Sequence, residues 1–431
     1  MKVLHFALSD YGGAGTAAVR LHAGMAAAGV DSRLLVLRKS RDDIDGVIAV
    51  PAFNRLAYDF NSRVADRWVK RGARRLPRSK YFYADFNHGL LSPTLIETVA
   101  FRPDFLIAHS VSGYVPAELL GRVSREWRIP ALWYFMDMGA LTGGCHFAFD
   151  CNAYLSRCGR CPAIGSTADA DWSRTIWLRR HNAIESSHIV GVAPNCWVER
   201  QARASGLFRN RQISKIELSI DLEKYVSLDR KAARRSLGIP EEGQAIFFGA
   251  HFAAEERKGL RYLAEALNVL QHSRKKVGGQ PYLITAGSEN AAHSFEFPFS
   301  RYHIGYLDAQ TTLPLAYGAA DVFVSPAIED SGPMMILESL SCGTPVVSFD
   351  MGVARDVLED GRTGYVAALR DVSGLAAGIA AVLDMAPERY QEMRIRCRQM
   401  AEKRFAPHVQ ASAFIDLMRT LKPATQNLES V

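Results

Sequence analysis

Short, almost wholly apolar, β-branched runs alternate with helical stretches along the chain, and this alternation limits the fold more than any other feature. KVLHFAL, SRLLVL, DFLIA, ALWYF and IVGVA follow one another in the first half, and AIFFGAH, YLITAG, YHIGYL, DVFVSP and TPVVSF in the second. A strand that is apolar on both faces must be covered on both, and a parallel sheet flanked by helices does this. The opening shows the unit: KVLHFAL, the loop SDYGGAG, the Ala-rich helix TAAVRLHAGMAAAG, then SRLLVL, a βαβ crossover. Two such series predict an α/β chain of two parallel-sheet domains. At 431 residues the chain also exceeds what one core usually holds. The polar stretch 195–243 is the expected hinge region, with domains at 1–200 and 201–404. From 372 to 421 the chain reads as helical. A cleft between two such halves is a natural site for a small ligand.

At 48% hydrophobic and 23% charged residues, the composition is that of a globular chain. No apolar run reaches the roughly 18 residues of a membrane-spanning helix. The start, MKVLHFALSDYGG, reads as a first strand and its turn rather than a signal peptide. A cytoplasmic location is therefore expected, with the seven cysteines reduced or metal-bound. The formal charge of +7 favours an acidic partner: nucleic acid, anionic lipid or a phosphorylated small molecule. Basic residues cluster at 63–80, around Val64 and Trp68. This is either a solvated helix running into a loop or a docking segment for the inner face of the membrane. No nucleic-acid-binding signature surrounds it, and no nucleic-acid partner is expected.

Three segments carry chemistry. In EDSGPMMILESLSCGTPVVSFD (329–350), Asp330 or Ser331 is expected to cap a helix with Pro333 in its first turn, and Gly343 to end it. That leaves Glu338 unexplained, since an unpaired carboxylate inside an apolar helix is costly. The loop SDYGGAG, with Gly12 and Gly13, lets backbone come close to a ligand at a helix N-terminus. Arg257 and Lys258 stand at a strand-to-helix turn, where cations oppose the helix dipole unless an anion binds there. A fourth group, Cys145, Cys151, Cys158 and Cys161, has the CGRC knuckle of a tetrahedral thiolate site. Structural zinc, free thiols and disulfides are the three readings of it.

These motifs, taken in order, resemble the GT4 group of retaining GT-B glycosyltransferases, and most nearly the bacterial exopolysaccharide branch with the colanic-acid enzymes. The matching residues are GGAGTAA, RKGL at 257–260, YGAADVFVSP at 317–326, TGGCHF with the cysteines at 142–162, and Asp330 and Glu338 ahead of CGTPVV. The resemblance implies a GT-B fold: two Rossmann-like domains facing across a cleft, with the C-terminal helix (405–431) crossing back to the first. It implies that backbone N–H groups at Gly332–Met335, including Met334, meet the donor diphosphate. Glu338 would hold the ribose hydroxyls, Asp330 or Glu329 the donor sugar, and Lys258 with Arg257 the diphosphate charge. Asp137 and His109 match further family positions, although His109 reads equally as a core histidine. The chain departs from the pattern with Asp rather than Glu at 330, Met136 where a His is usual, and Ala250-His251 where a basic residue is frequent.

The expected activity is transfer of a hexose, with retention, from a nucleotide diphosphate sugar to a hydroxyl of a glycan, lipid-linked in the exopolysaccharide setting. Catalysis would need no cofactor, because cations and a helix dipole stabilise the leaving diphosphate. The alternatives are a degenerate sugar-nucleotide-binding subunit and a GT-B epimerase or phosphorylase.

Overall fold

The computed structural model describes residues 1–69, 76, 81–82, 91–110, 114–250, 255–273, 279–288, 295–306 and 312–421. The Trp68 side chain, most of the basic segment beyond it, and His251 lie outside the described residues. The chain divides into two compact units, Met1–Leu218 with Pro407–Val431, and Ser219–Ala406.

The first unit is built on β1 (Lys2–Ser9), α1 (Gly12–Ala27), β2 (Asp31–Arg38), β3 (Val47–Ala49), α2 (Ala52–Val69), α3 (Pro93–Val99) and β4 (Phe105–Ala108). It continues through α4 (Ala117–Trp127), β5 (Ala131–Tyr134), α5 (Trp172–Glu185), β6 (Ile189–Ala193), α6 (Cys196–Ala204) and β7 (Ile213–Lys215). Among the described residues its strands form one seven-stranded parallel sheet in the order β3-β2-β1-β4-β5-β6-β7. The strands are buried as their composition requires: Leu4, Phe6, Leu106, Ala131 and Trp133 share one core. Helix starts follow local chemistry, with Ser92, Asp171 and Asn195 each accepting a backbone N–H at the first turn of α3, α5 and α6.

The second unit holds α7 (Arg230–Ser236), β8 (Ala245–Gly249), α8 (Leu260–Ser273), β9 (Tyr282–Ala286), β10 (Arg301–His303), α9 (Leu313–Ala319) and β11 (Val322–Ser325). After these come α10 (Met334–Ser341), β12 (Val346–Phe349), α11 (Ala354–Val357), β13 (Gly364–Ala367), α12 (Val372–Leu383) and α13 (Pro387–Arg404). Its six described strands are parallel, in the order β10-β9-β8-β11-β12-β13. A last helix, α14 (Pro407–Leu421), belongs to the first unit. There the Gln410 amide donates to the Tyr134 hydroxyl (3.1 Å) and Glu217 O (2.8 Å), and Phe414 stacks edge-on to Tyr134. The return of the C-terminal helix is thus as the sequence predicts.

The unit boundary differs from the expected 200/201. Residues 201–218 stay with the first unit because β7 extends its sheet, pairing Gly191 with Ile213 and Ala193 with Lys215. A strand of three residues gives little periodicity to read.

Candidate functional site

In the second sheet the strand order is that of a doubly wound fold, and its direction of build-up reverses between β8 and β11. Ligands of open parallel sheets bind outside the strand C-termini at such a reversal. The basic turn follows β8 in the chain, and the acidic loop follows β11. They meet there. Lys258 Nζ lies 2.6 Å from Asp330 Oδ2, and Arg257 Nη1 lies 3.4 Å from the same oxygen. Arg257 Nε also pairs with Glu255 at 2.7 Å.

Backbone contacts hold the two loops in register. Ile328 N–H donates to Arg257 O at 2.8 Å. Gly259 takes φ +73°, and a Cβ added there would sit 1.8 Å from Pro326 O, so only glycine allows this approach. Burial alone would raise the Asp330 carboxyl, but Lys258 first and Arg257 second outweigh it and hold it below the usual carboxylate range. Asp330 is therefore ionised, and Gly332 N–H donates to its other oxygen at 3.3 Å.

This corrects the capping expectation. Helix α10 starts at Met334 with Pro333 at its N-cap position and no side-chain cap, because Asp330 is turned to the cations. Gly332, Met334 and Met335 are half-buried around that start, and Met335 Cε lies against Gly249 at the end of β8. Glu329 is buried beside Asp330. One turn into the helix, Glu338 is 4% exposed and accepts a 3.0 Å hydrogen bond from the Tyr317 hydroxyl. The acid that the sequence leaves without a partner thus has one within the fold itself. Nothing in the sequence announces it, since Tyr317 lies 21 residues away on α9.

The first unit carries the other predicted residues. A Cβ added at Gly12 or Gly13 would meet nothing within 4 Å, so the start of α1 is open on that side. The glycine that packs is Gly15, whose added Cβ would lie 2.5 Å from Ser9 O. Asp10, which sequence reading passed over, is buried and accepts N–H bonds from Ser40 and Arg41, tying the loop after β2 to that after β1. His109 is fully buried and stacks on His5, their ring nitrogens 3.1 Å apart. Burial, then neighbouring His22, lowers His109 to about 3, so it is neutral. That favours the core reading of His109. Asp137 accepts from Gly139 N–H at 2.7 Å and faces His146 Nδ1 at 2.7 Å. His146 is the partner that sequence reading missed. Asp137 and the Asp330 group belong to different units.

None of the seven cysteines is in a disulfide. Cys145, Cys151, Cys158 and Cys161 line a single cavity of about 20 Å³, and the Cys145 thiol donates to Cys161. Among the described residues, no three or more His, Cys, Asp or Glu side chains are placed, as they stand, so that they could hold a metal ion.

Residues 243–385 match the family model described as Glycosyl transferases group 1. That stretch holds Arg257, Lys258, Asp330 and Glu338. The chain is 30% identical over 193 residues to D-inositol 3-phosphate glycosyltransferase 2 of Catenulispora acidiphila, covering 41% of this chain and 44% of that one. It is 28% identical over 178 residues to the phosphatidyl-myo-inositol mannosyltransferase of Mycobacterium leprae, covering 40% and 46%. The chain thus spans less than half the length of these relatives. Their names concern inositol phosphate and phosphatidyl-myo-inositol rather than exopolysaccharide or colanic acid. Among solved structures it resembles sucrose-phosphate synthase from Thermosynechococcus elongatus, with TM-score 0.64 and 16% identity over 97% of this chain and 98% of that one. Anabaena HepE in complex with UDP and glucose gives 0.63 and 13% over 98% and 100%. The fold is that of GT-B glycosyltransferases.

Proposed function

We propose that this chain is a group 1 glycosyltransferase that moves a hexose, with retention, from a nucleotide diphosphate sugar to a hydroxyl acceptor. The observation that carries the reading is the second-unit cluster: Lys258, Arg257 and Asp330 at the start of α10, which has no side-chain cap, one turn before buried Glu338. Lys258 and Arg257 would take charge from the diphosphate as the glycosidic bond lengthens, aided by the α10 dipole. Glu338 would hold the ribose hydroxyls, and Asp330 with Glu329 the hexose. The leaving phosphate would accept the acceptor's proton on the same face, so the protein supplies position and charge. Asp137, from the first unit, would serve the acceptor side. HepE is named with UDP, which favours a uridine nucleotide for the donor.

The acceptor would be a membrane-borne glycan or glycolipid, in cell-surface polysaccharide assembly. No described helix is long and apolar enough to cross a membrane. Helix α2, however, exposes Phe53, Leu56, Phe60 and Val64 along one face, from 39% to 80%, with Arg55, Arg63 and Arg67 among them. An apolar stripe edged by arginine suits an anionic lipid surface. A non-catalytic sugar-nucleotide-binding subunit is the second reading, favoured by Met136 in place of histidine.

The test is a thermal-shift screen against UDP-, GDP-, ADP- and dTDP-sugars, repeated with Glu338→Gln. A ligand at 100 times its dissociation constant stabilises by about 2.7 kcal/mol. One nucleotide class should raise the wild-type midpoint and leave the variant's unmoved. Absence of any response contradicts the transferase reading. Binding without hydrolysis or transfer selects the non-catalytic subunit.

A further inference from the structure

Between β5 and α5 the chain runs from 135 to 171 with only short turns, at 138–141, 153–155 and 162–164. A stretch of this length without regular structure is unusual inside a compact unit and needs something to hold it. It is also strained. Phe149, Cys158 and Arg160 all take left-handed φ, at 51°, 51° and 46°, a conformation that persists only where the surroundings impose it.

Its four cysteines, scattered over 17 positions, converge on one cavity of about 20 Å³. That is room for a single atom-sized occupant. Water is a poor candidate because it needs two or more polar partners, and the hydroxyls beside the cavity are engaged. Thr142 Oγ1 donates to Cys145 O and accepts from Gly144 N–H. Ser173 Oγ donates to Asp171 and accepts from Gly159 N–H. The Tyr154 hydroxyl donates to Gln201. What remains to meet an occupant is sulfur.

Backbone N–H groups also point at these sulfurs. Gly143 N–H lies 3.2 Å from Cys158 Sγ, and Ala163 and Ile164 N–H groups approach Cys161 Sγ. We propose that Cys145, Cys151, Cys158 and Cys161 bind one structural zinc ion, closing on it by side-chain rotation to the four-coordinate thiolate geometry that zinc prefers. Each thiol loses its proton on binding. With four protein ligands no position stays open, so the ion clamps the segment and takes no part in transfer. Cys145 adjoins His146, whose Nδ1 holds Asp137, so the clamp also steadies the Asp137 turn.

The experiment uses the full chain, purified without a histidine tag and kept reduced. Elemental analysis should give about one zinc per chain, and Cys158→Ser with Cys161→Ser should lose it. Cys196→Ser, outside the cluster, should retain it. If the cluster variants fail to fold, the wild-type protein still decides. A mercurial reagent should release one equivalent of zinc, and a thiol reagent followed by peptide mapping should find Cys145, Cys151 and Cys158, which are only partly buried, unlabelled until it does. Replacement by cobalt should give the visible bands of a tetrahedral thiolate site. Less than half an equivalent of zinc, iron in its place, or freely reactive thiols at Cys145, Cys151 and Cys158 would overturn the proposal.

Discussion

Gly259 offers a sharp test of how the second-unit site is held. Alanine there meets two penalties, a left-handed φ of +73° and a Cβ 1.8 Å from Pro326 O. Gly238, in the same unit, has φ +65° but open space around an added Cβ. Gly238→Ala therefore pays the backbone penalty alone, roughly 1–2 kcal/mol. Gly259→Ala adds overpacking worth about 1–3 kcal/mol more, because a Cβ at 1.8 Å must retreat about 1.2 Å to reach 3.0 Å. At roughly 2–4 °C per kcal/mol, Gly238→Ala should lower the melting midpoint by roughly 2–8 °C and Gly259→Ala by about twice that. The larger consequence concerns ligand. Parting these loops pulls Lys258 from the place it shares with Asp330, and a 1 Å error at such a site costs on the order of 100-fold. A nucleotide sugar that stabilises the wild type by about 2.7 kcal/mol should then stabilise Gly259→Ala by only about 0.4 kcal/mol. Gly238→Ala should keep the full response. The assay is differential scanning fluorimetry with and without the responding donor. Equal midpoints for the two variants, or an undiminished donor response in Gly259→Ala, would refute the view that this contact sets the cation position.

Tyr317→Phe removes the hydroxyl that donates to buried Glu338, and a hydrogen bond to a charged group is worth roughly 1.5–3 kcal/mol. A midpoint within 1 °C of wild type would show that Glu338 is satisfied without it. Asp330 has a lowered carboxyl, so its ion pairs stabilise the fold above the ordinary carboxylate value and are lost as pH falls through its folded value. Wild type should therefore exceed Asp330→Asn in urea midpoint at pH 7, begin to converge on it below about pH 4, the ordinary aspartate range, and meet it only below the lowered folded value; parallel curves at all pH values would count against the pairing. Asp321→Ala strips the carboxylate from Arg234, whose side chain is 3% exposed, and should cost about 3–5 kcal/mol. A loss below 1 kcal/mol would mean that the carbonyls of Ala319, Glu241 and Gly243 suffice for the guanidinium. On helix α2, Phe53→Glu with Phe60→Glu should abolish sedimentation with anionic vesicles without lowering the midpoint, since both rings are exposed. Unchanged vesicle binding would remove α2 from the membrane reading.

Strands such as β1, β5 and β12 were legible because burial on both faces leaves mostly apolar side chains to read. The short edge strands β3 and β7 lack that mark, and β7 moved the unit boundary. Asp330, Lys258 and Glu338 could be singled out because each breaks a local rule: a cation at a helix start, or an acid in an apolar run. Their partners could not. Tyr317 reaches Glu338 from another helix and His146 reaches Asp137 across a loop, and each is an ordinary residue in its own segment. The predicted cap at Asp330 failed for the same reason. A local preference for capping yielded to two cations supplied from 72 and 73 residues away.

That misreading bears on how the site would work. In the structure the two cations expected to meet diphosphate are held by Asp330, the acid expected to meet the sugar. A diphosphate brings more negative charge than one carboxylate and can draw Lys258 and Arg257 toward itself. Asp330 would then give up its ion pairs and still need hydrogen-bond donors, because a buried carboxylate cannot stay unpaired cheaply. The hexose hydroxyls on the same diphosphate would be such donors. A free nucleoside diphosphate would take the cations but leave Asp330 unsatisfied, whereas an intact donor would satisfy both. On the proposed function, the Asp330 ion pairs would favour the whole donor over its nucleotide product, and would help the product leave after transfer.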